Sequence, residues 1–169
     1  MTANDTLYVG WDPGHSDSKI AHVCGQEIMT YALPATVGLD NHSRKDGLSL
    51  TGLVRRNPSR TRQPFHVAFD EMEYLAGPNV DQYTTPINRM DYELDRFTDS
   101  PELRATFYTS VYQIINGGTH RLALAVALPV SLLEDPDKAA LVEQDMHKWL
   151  IGEHHFSLGD GSDRPVGQR

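Results

Sequence analysis

The sequence predicts an α/β domain built on a mixed sheet with flanking helices, and three observations carry that expectation. Short strand-like runs separated by turn residues open the chain, an almost unbroken apolar run lies at 122–128, and two segments with cap-plus-proline starts carry apolar residues at helical spacing. A meander of strands is thus followed by helix, strand, helix and strand.

Leu7 to Asp12 is a short apolar run that meets Pro13-Gly14, and Lys19 to Cys24 alternates towards Gly25, which reads as strand, tight turn and returning strand. Gln26 to Ala32 gives a third strand, after which Leu33-Pro34 and Gly38 break regular structure. Residues 39–64 are rich in turn formers and are expected to form a long flexible loop. Phe65 to Phe69 and Glu73 to Ala76 read as a hairpin turning at Asp70-Glu71, and 65–99 are expected to form a small inserted subdomain.

Ser100-Pro101-Glu102 is a helix start: serine caps free amides, proline suits the first helical position, and glutamate favours the positive end of the dipole. Leu103, Phe107, Val111 and Ile114 then form one buried stripe, closed by Asn116-Gly117-Gly118. Leu122 to Leu128 has the character of a central strand covered on both faces, and Pro129 ends it. Asp135-Pro136 starts a second helix, whose face of Ala139, Val142, Met146, Trp149 and Leu150 closes at Gly152. His155 to Leu158 is a last candidate strand.

The chain has 169 residues, 39% hydrophobic and 22% charged, which suits one folded domain rather than a complete two-lobed enzyme. A net charge of −8 gives the surface as a whole no attraction for DNA phosphates or anionic membrane faces. The basic stretch Arg44, Lys45, Arg55, Arg56, Arg60 and Arg62 is interleaved with turn residues, so a solvated loop is preferred to an electrostatic docking site. Cys24, the one cysteine, excludes an internal disulfide and is expected to be inert core in a reducing compartment. The polar start has no signal-peptide pattern and no run is long enough to span a bilayer, so a cytoplasmic location with no membrane partner is expected.

The segment that carries chemistry is Val9 to Ile20. An acidic residue at a strand end, Asp12, precedes a turn of small residues and then Lys19. Glycine lets a backbone approach an oxyanion closely, and turn amides with small hydroxyls can cradle phosphate oxygens in a concave nest. Lys19 adds a positive charge, and Asp12 can hold a hydrated magnesium ion through its waters. The same residues also make an ordinary hairpin turn in which Asp12 and Ser16 bond only to local backbone. The segment is neither a Walker A loop nor a dinucleotide fingerprint, because the glycine spacing, the Gly-Lys-Ser/Thr ending and a following helix are missing.

Gly10-Trp11-Asp12-Pro13-Gly14 through Lys19 resembles the first phosphate motif of the actin, chaperone and sugar-kinase superfamily. Three further segments resemble the ParM/StbA plasmid-segregation branch: Leu33-Pro34-Ala35-Thr36-Val37-Gly38, Tyr74-Leu75-Ala76-Gly77-Pro78-Asn79 and Leu128-Pro129-Val130-Ser131. Ala127 stands where glycine is common in that last motif. The resemblance implies a ribonuclease-H-like sheet, ATP and Mg2+ as ligands, and head-to-tail assembly into filaments that reach DNA only through an adaptor. It implies phosphate contacts from Gly14, His15, Ser16, Ser18 and Lys19, with Asp12 on magnesium through water and His15 acting through its amide.

On this reading 1–169 is the first lobe only. The second phosphate hairpin, the adenosine-binding segment and the catalytic Glu or Gln are not found, so no catalytic residue is assigned. The chain alone is expected to hydrolyse hardly any ATP, and a second lobe or second chain would complete the cleft. A chaperone-like or kinase member of the superfamily, or a non-enzymatic half-fold that binds a partner, is the alternative. His147, His154 and His155 are read as surface histidines rather than metal ligands, and Asp91, Glu93, Asp95 and Asp99 as a solvated connector. Phe107, Tyr108, Tyr112 and Trp149 are read as core.

Overall fold

In a computed structural model, residues 6–40, 63–87, 97–98, 100–115 and 118–159 are described. Of the expected loop at 39–64, residues 41–62 with the basic stretch lie outside them, as do Asp91, Glu93, Asp95 and Asp99. Strands β1 (Thr6–Pro13), β2 (Asp17–Cys24) and β3 (Glu27–Pro34) form the antiparallel meander that the turn residues indicate. A three-residue strand β4 (Val37–Leu39) follows where a break was expected. It pairs with β6 (Met72–Ala76), and Gly38 lets residues 84–86 lie close against it: a Cβ there would collide with Thr84 Cγ2 and sit 3.2 Å from the Thr85 carbonyl oxygen.

β5 (Phe65–Phe69) and β6 make the expected hairpin, turning through Asp70 and Glu71 at φ 48° and 63°. Positive φ at both central residues is what a tight right-twisted hairpin needs, and it is costly for side chains other than glycine. Asp70 is held in place by Arg104, which donates to it at 2.9 Å from helix α1 (Pro101–Tyr112). That helix begins as its sequence indicates, with Ser100 Oγ accepting from the Leu103 amide and Pro101 in the first turn.

Strand β7 (Arg121–Val126) runs parallel to β1. A single turn α2 (Val130–Leu133), helix α3 (Pro136–Leu150) and strand β8 (Ser157–Gly159) complete the order. Two four-stranded sheets result, β3-β2-β1-β7 and β4-β6-β5-β8. β7 is therefore an edge strand among the described residues, and its leucines are half-buried rather than covered on both faces. An apolar run reports how much a strand wants to be covered, and cannot say whether its second neighbour is present. Cys24 is likewise corrected from core to surface: it ends β2 beside the turn at Gly25 and is exposed.

Helix α1 packs between the two sheets and joins their cores. Trp11 of β1, Phe107 of α1 and Trp149 of α3 meet with ring centroids 4.9, 5.6 and 6.3 Å apart. On the other side Phe69, Tyr74 and Tyr108 cluster, with Phe156 stacked on Tyr108 at 4.5 Å. Phe107, Tyr108 and Trp149 are thus core, as their helical spacing indicates. Among the described residues no helix is long and apolar enough to cross a membrane.

Burial raises the pKa of Tyr74, aided by the Glu102 and Asp70 carboxylates and opposed by Arg104; burial also raises that of Tyr108, where Arg104 again opposes it. A phenol raised in the fold keeps its proton at a pH where the unfolded chain has lost it. The stability it contributes is complete below the ordinary value of about 10 and is lost as the pH rises through the folded value. The urea midpoint is therefore expected to fall on the alkaline side, and less steeply in Tyr108→Phe. Parallel decline in the two proteins would exclude Tyr108 as a source.

Candidate functional site

The turn between β1 and β2 lies at the carboxyl end of β1, and β7 runs alongside in parallel, with the Ala127 amide donating to the Trp11 carbonyl at 2.8 Å. Crevices outside the carboxyl ends of parallel strands are where α/β sheets bind ligands. The turn is tied to the end of β3 through the Ala35 amide, which donates to the Ser16 carbonyl at 2.9 Å.

Strand alternation then sorts the candidate residues. Asp12 pairs with Lys19, and Lys19 pairs with Ala32 on the next strand, so this row shares the sheet's open face. Lys19 Nζ stands 3.8 Å from Asp12 Oδ2, with both side chains half or more exposed. An exposed pair of this kind adds little to stability, about 0–1 kcal/mol, so both groups remain available to a ligand. They border a shallow depression of about 750 Å3 lined in part by small residues, among them Gly10, Ala21, Thr30 and Ala125.

Gly14 has a structural reason beyond close approach. A Cβ built there would lie 2.6 Å from the carbonyl oxygen of Asp17, so only glycine fits the turn as it stands. His15 and Ser16 are exposed on the turn. Asp12, Gly14, His15, Ser16 and Lys19 are thus brought together in one hairpin.

Ser18 is not brought to that side. It lies on the opposite face, 1% exposed, where its Oγ accepts from Trp11 Nε1 at 2.8 Å and meets Ser110 Oγ at 2.7 Å. A phosphate contact through the Ser18 hydroxyl is therefore corrected: alternation turns it inward, and both of its neighbours are already bonded to it. Sequence reasoning missed Ser110 altogether. The available signal was a polar residue three positions after Phe107, inside the otherwise apolar stripe of α1.

Of the three histidines of the C-terminal cluster, His154 is held by two bonds of its own. His154 Nε2–H donates to the Leu150 carbonyl at 3.0 Å and Nδ1 accepts from the Tyr108 hydroxyl at 3.1 Å, while His155 is exposed and His147 lies on α3. Among the described residues no three His, Cys, Asp or Glu side chains converge as a metal set.

The fold and the hairpin define a class: a single α/β lobe whose acidic strand end, glycine turn and lysine stand at the mouth of parallel strands. Residues 10–166 match the family model for the N-terminal domain of actin-like proteins, and the chain belongs to that family. Its fold is similar to that of apo psk41 ParM (TM-score 0.60, 14% identity, 96% of this chain and 47% of that one). It is also similar to AlfA from a Bacillus subtilis plasmid, pLS32, in its filament (0.58, 14%, 95% and 52%). A third likeness is to Bacillus thuringiensis ParM with AMPPNP (0.56, 11%, 93% and 40%). The chain spans about half the length of these structures. No curated protein sequence matches it.

Proposed function

We propose that this chain is the N-terminal nucleotide-binding lobe of an actin-like ATPase that assembles into filaments in plasmid or DNA segregation. The observation that carries the reading is the cross-strand pair of Asp12 and Lys19 on the open sheet face, flanking a turn that only glycine fits, in a chain of the actin-like family. Membership favours this branch over a chaperone-like or kinase relative. AMPPNP in the ParM structure and the filament of AlfA support nucleotide and self-association as the corresponding properties here.

In this reading the backbone amides of Gly14, His15 and Ser16 orient the phosphates. Lys19 neutralises part of their charge through its ammonium, with no proton moved. Asp12 suits a magnesium ion held through water: it is a half-exposed carboxylate that, among the described residues, belongs to no group of three or more metal-ligating side chains, too few ligands for a protein-made cage and enough to anchor a hydrated ion already carried by phosphates. Bound magnesium would supply charge neutralisation at the phosphates. The remaining wall of the cleft, and the group that positions water for hydrolysis, belong to a second lobe or second chain. DNA would be reached through an adaptor, in the cytoplasm, with no membrane partner; the net charge of −8 fits that indirect route.

Equilibrium binding of AMPPNP with magnesium to the full chain tests the site. Loss of one charge-assisted contact should weaken binding about tenfold in Lys19→Ala, and by a comparable factor in Asp12→Ala only when magnesium is present. If neither substitution changes the affinity by as much as about twofold, the site is elsewhere.

A further inference from the structure

We infer that Ser18 and Ser110 are positioning residues for the nucleotide hairpin, acting through Trp11 rather than touching the ligand; the inference rests on the reading of Asp12 and Lys19 given above. All three side chains are about 1% exposed. The indole Nε1–H of Trp11 is a donor only, so Ser18 Oγ must accept from it, at 2.8 Å. Ser18 and Ser110 then share one hydrogen bond at 2.7 Å, reaching from β2 to α1 across 92 positions of sequence.

The location of this relay suggests what it does. Trp11 immediately precedes Asp12 and Ser18 immediately precedes Lys19, so the indole-to-hydroxyl bond crosses the neck of the hairpin directly behind the outward pair. The side chains of Asp12 and Lys19 point away from the core and meet in an exposed contact at 3.8 Å, which adds little to the strand pairing that sets them side by side and ties neither of them to the core. The relay supplies what that pair lacks. It fixes the neck from behind, and through Ser110 it fixes the neck to a helix that also packs on the second sheet.

Three buried polar groups are a costly way to fill a core, since apolar side chains of similar size could occupy the same space. A fully satisfied buried network is useful where one geometry must be selected. The three partners also differ in consequence. Ser18→Ala orphans the indole N–H and removes the partner of Ser110, whereas Ser110→Ala leaves the Trp11–Ser18 bond intact and cuts only the tie to α1.

The test uses the full chain with Ser110→Ala, Ser18→Ala and the double variant, reading amide and indole hydrogen exchange together with AMPPNP–magnesium binding. In Ser110→Ala the ladder amides of 18–20 and the Trp11 indole proton should exchange roughly tenfold faster while those of α3 are unchanged, because a local opening at the neck of the turn is released and not the whole fold. Binding should weaken about fivefold, and adding Ser110→Ala to Ser18→Ala should change little, as expected for two residues acting as one unit. Unchanged exchange at the turn, or equal acceleration in the turn and α3, overturns the inference; so does a loosened turn with unaltered affinity. If Ser18→Ala does not fold, Ser110→Ala alone decides. Should the unsubstituted chain bind no AMPPNP, the site reading falls, and the exchange at 18–20 still shows whether the relay holds the hairpin.

Discussion

Replacing Trp11 by alanine is expected to cost about 3–5 kcal/mol of folding stability, the range for truncating a fully buried large aromatic. Trp11 is 1% exposed, meets Phe107 and Trp149 through its ring, and donates its indole N–H to Ser18. The substitution removes ring contacts to both helices and deprives Ser18 of its donor in a single step. Since domains of this kind are stable by about 5–15 kcal/mol in total, the variant is expected to be near the limit of folding. Trp11→Phe separates the two contributions: it keeps an aromatic ring and loses the donor, and should cost about 1–3 kcal/mol. Urea denaturation of both variants measures the difference. A Trp11→Ala loss below about 1 kcal/mol would show that β1 is not the strand that ties the helices together.

Gly14→Ala is expected to damage the site more than the fold. The added methyl would stand 2.6 Å from the Asp17 carbonyl oxygen, and a backbone atom cannot rotate aside as a side chain can. The turn must open, at a stability cost of about 1–3 kcal/mol. If the turn binds phosphates as proposed, its amides are displaced from them, and AMPPNP affinity is expected to fall by more than about tenfold. Gly10→Ala, on β1 and on the open face that carries Asp12, is the internal control, because nothing lies within 4 Å of a Cβ built there. Equal behaviour of the two variants in binding and in urea denaturation would remove the steric explanation of Gly14.

How much of this site was legible beforehand differs residue by residue. Asp12, Gly14 and Lys19 could be read because their chemistry is local: an acid, a turn former and a base within eight positions of one hairpin, 12 to 19. Ser18 was misassigned because composition in a turn does not tell which face of the following strand a residue takes. That is fixed by the register Pro13 with Ser18, and a shift of one residue would have reversed it. Ser110 could not be connected to Trp11 at all, since its partner across β2 lies 92 positions away in sequence.

The same division runs through the fold. By itself the sequence determined the early meander, the 65–76 hairpin and the two capped helices, because periodicity, capping and turn chemistry act over a few residues. Tertiary structure alone decided that β7 joins β1 in parallel as an edge strand among the described residues, that β4 and β8 flank a second sheet, and that Cys24 is exposed. Each of these depends on which segment lies alongside another, and side-chain pattern within one segment carries no information about its neighbour's identity. For the hairpin of Asp12 and Lys19 the consequence is specific: its charged residues lie close together in sequence, while the bonds behind it were settled only when β2 met α1.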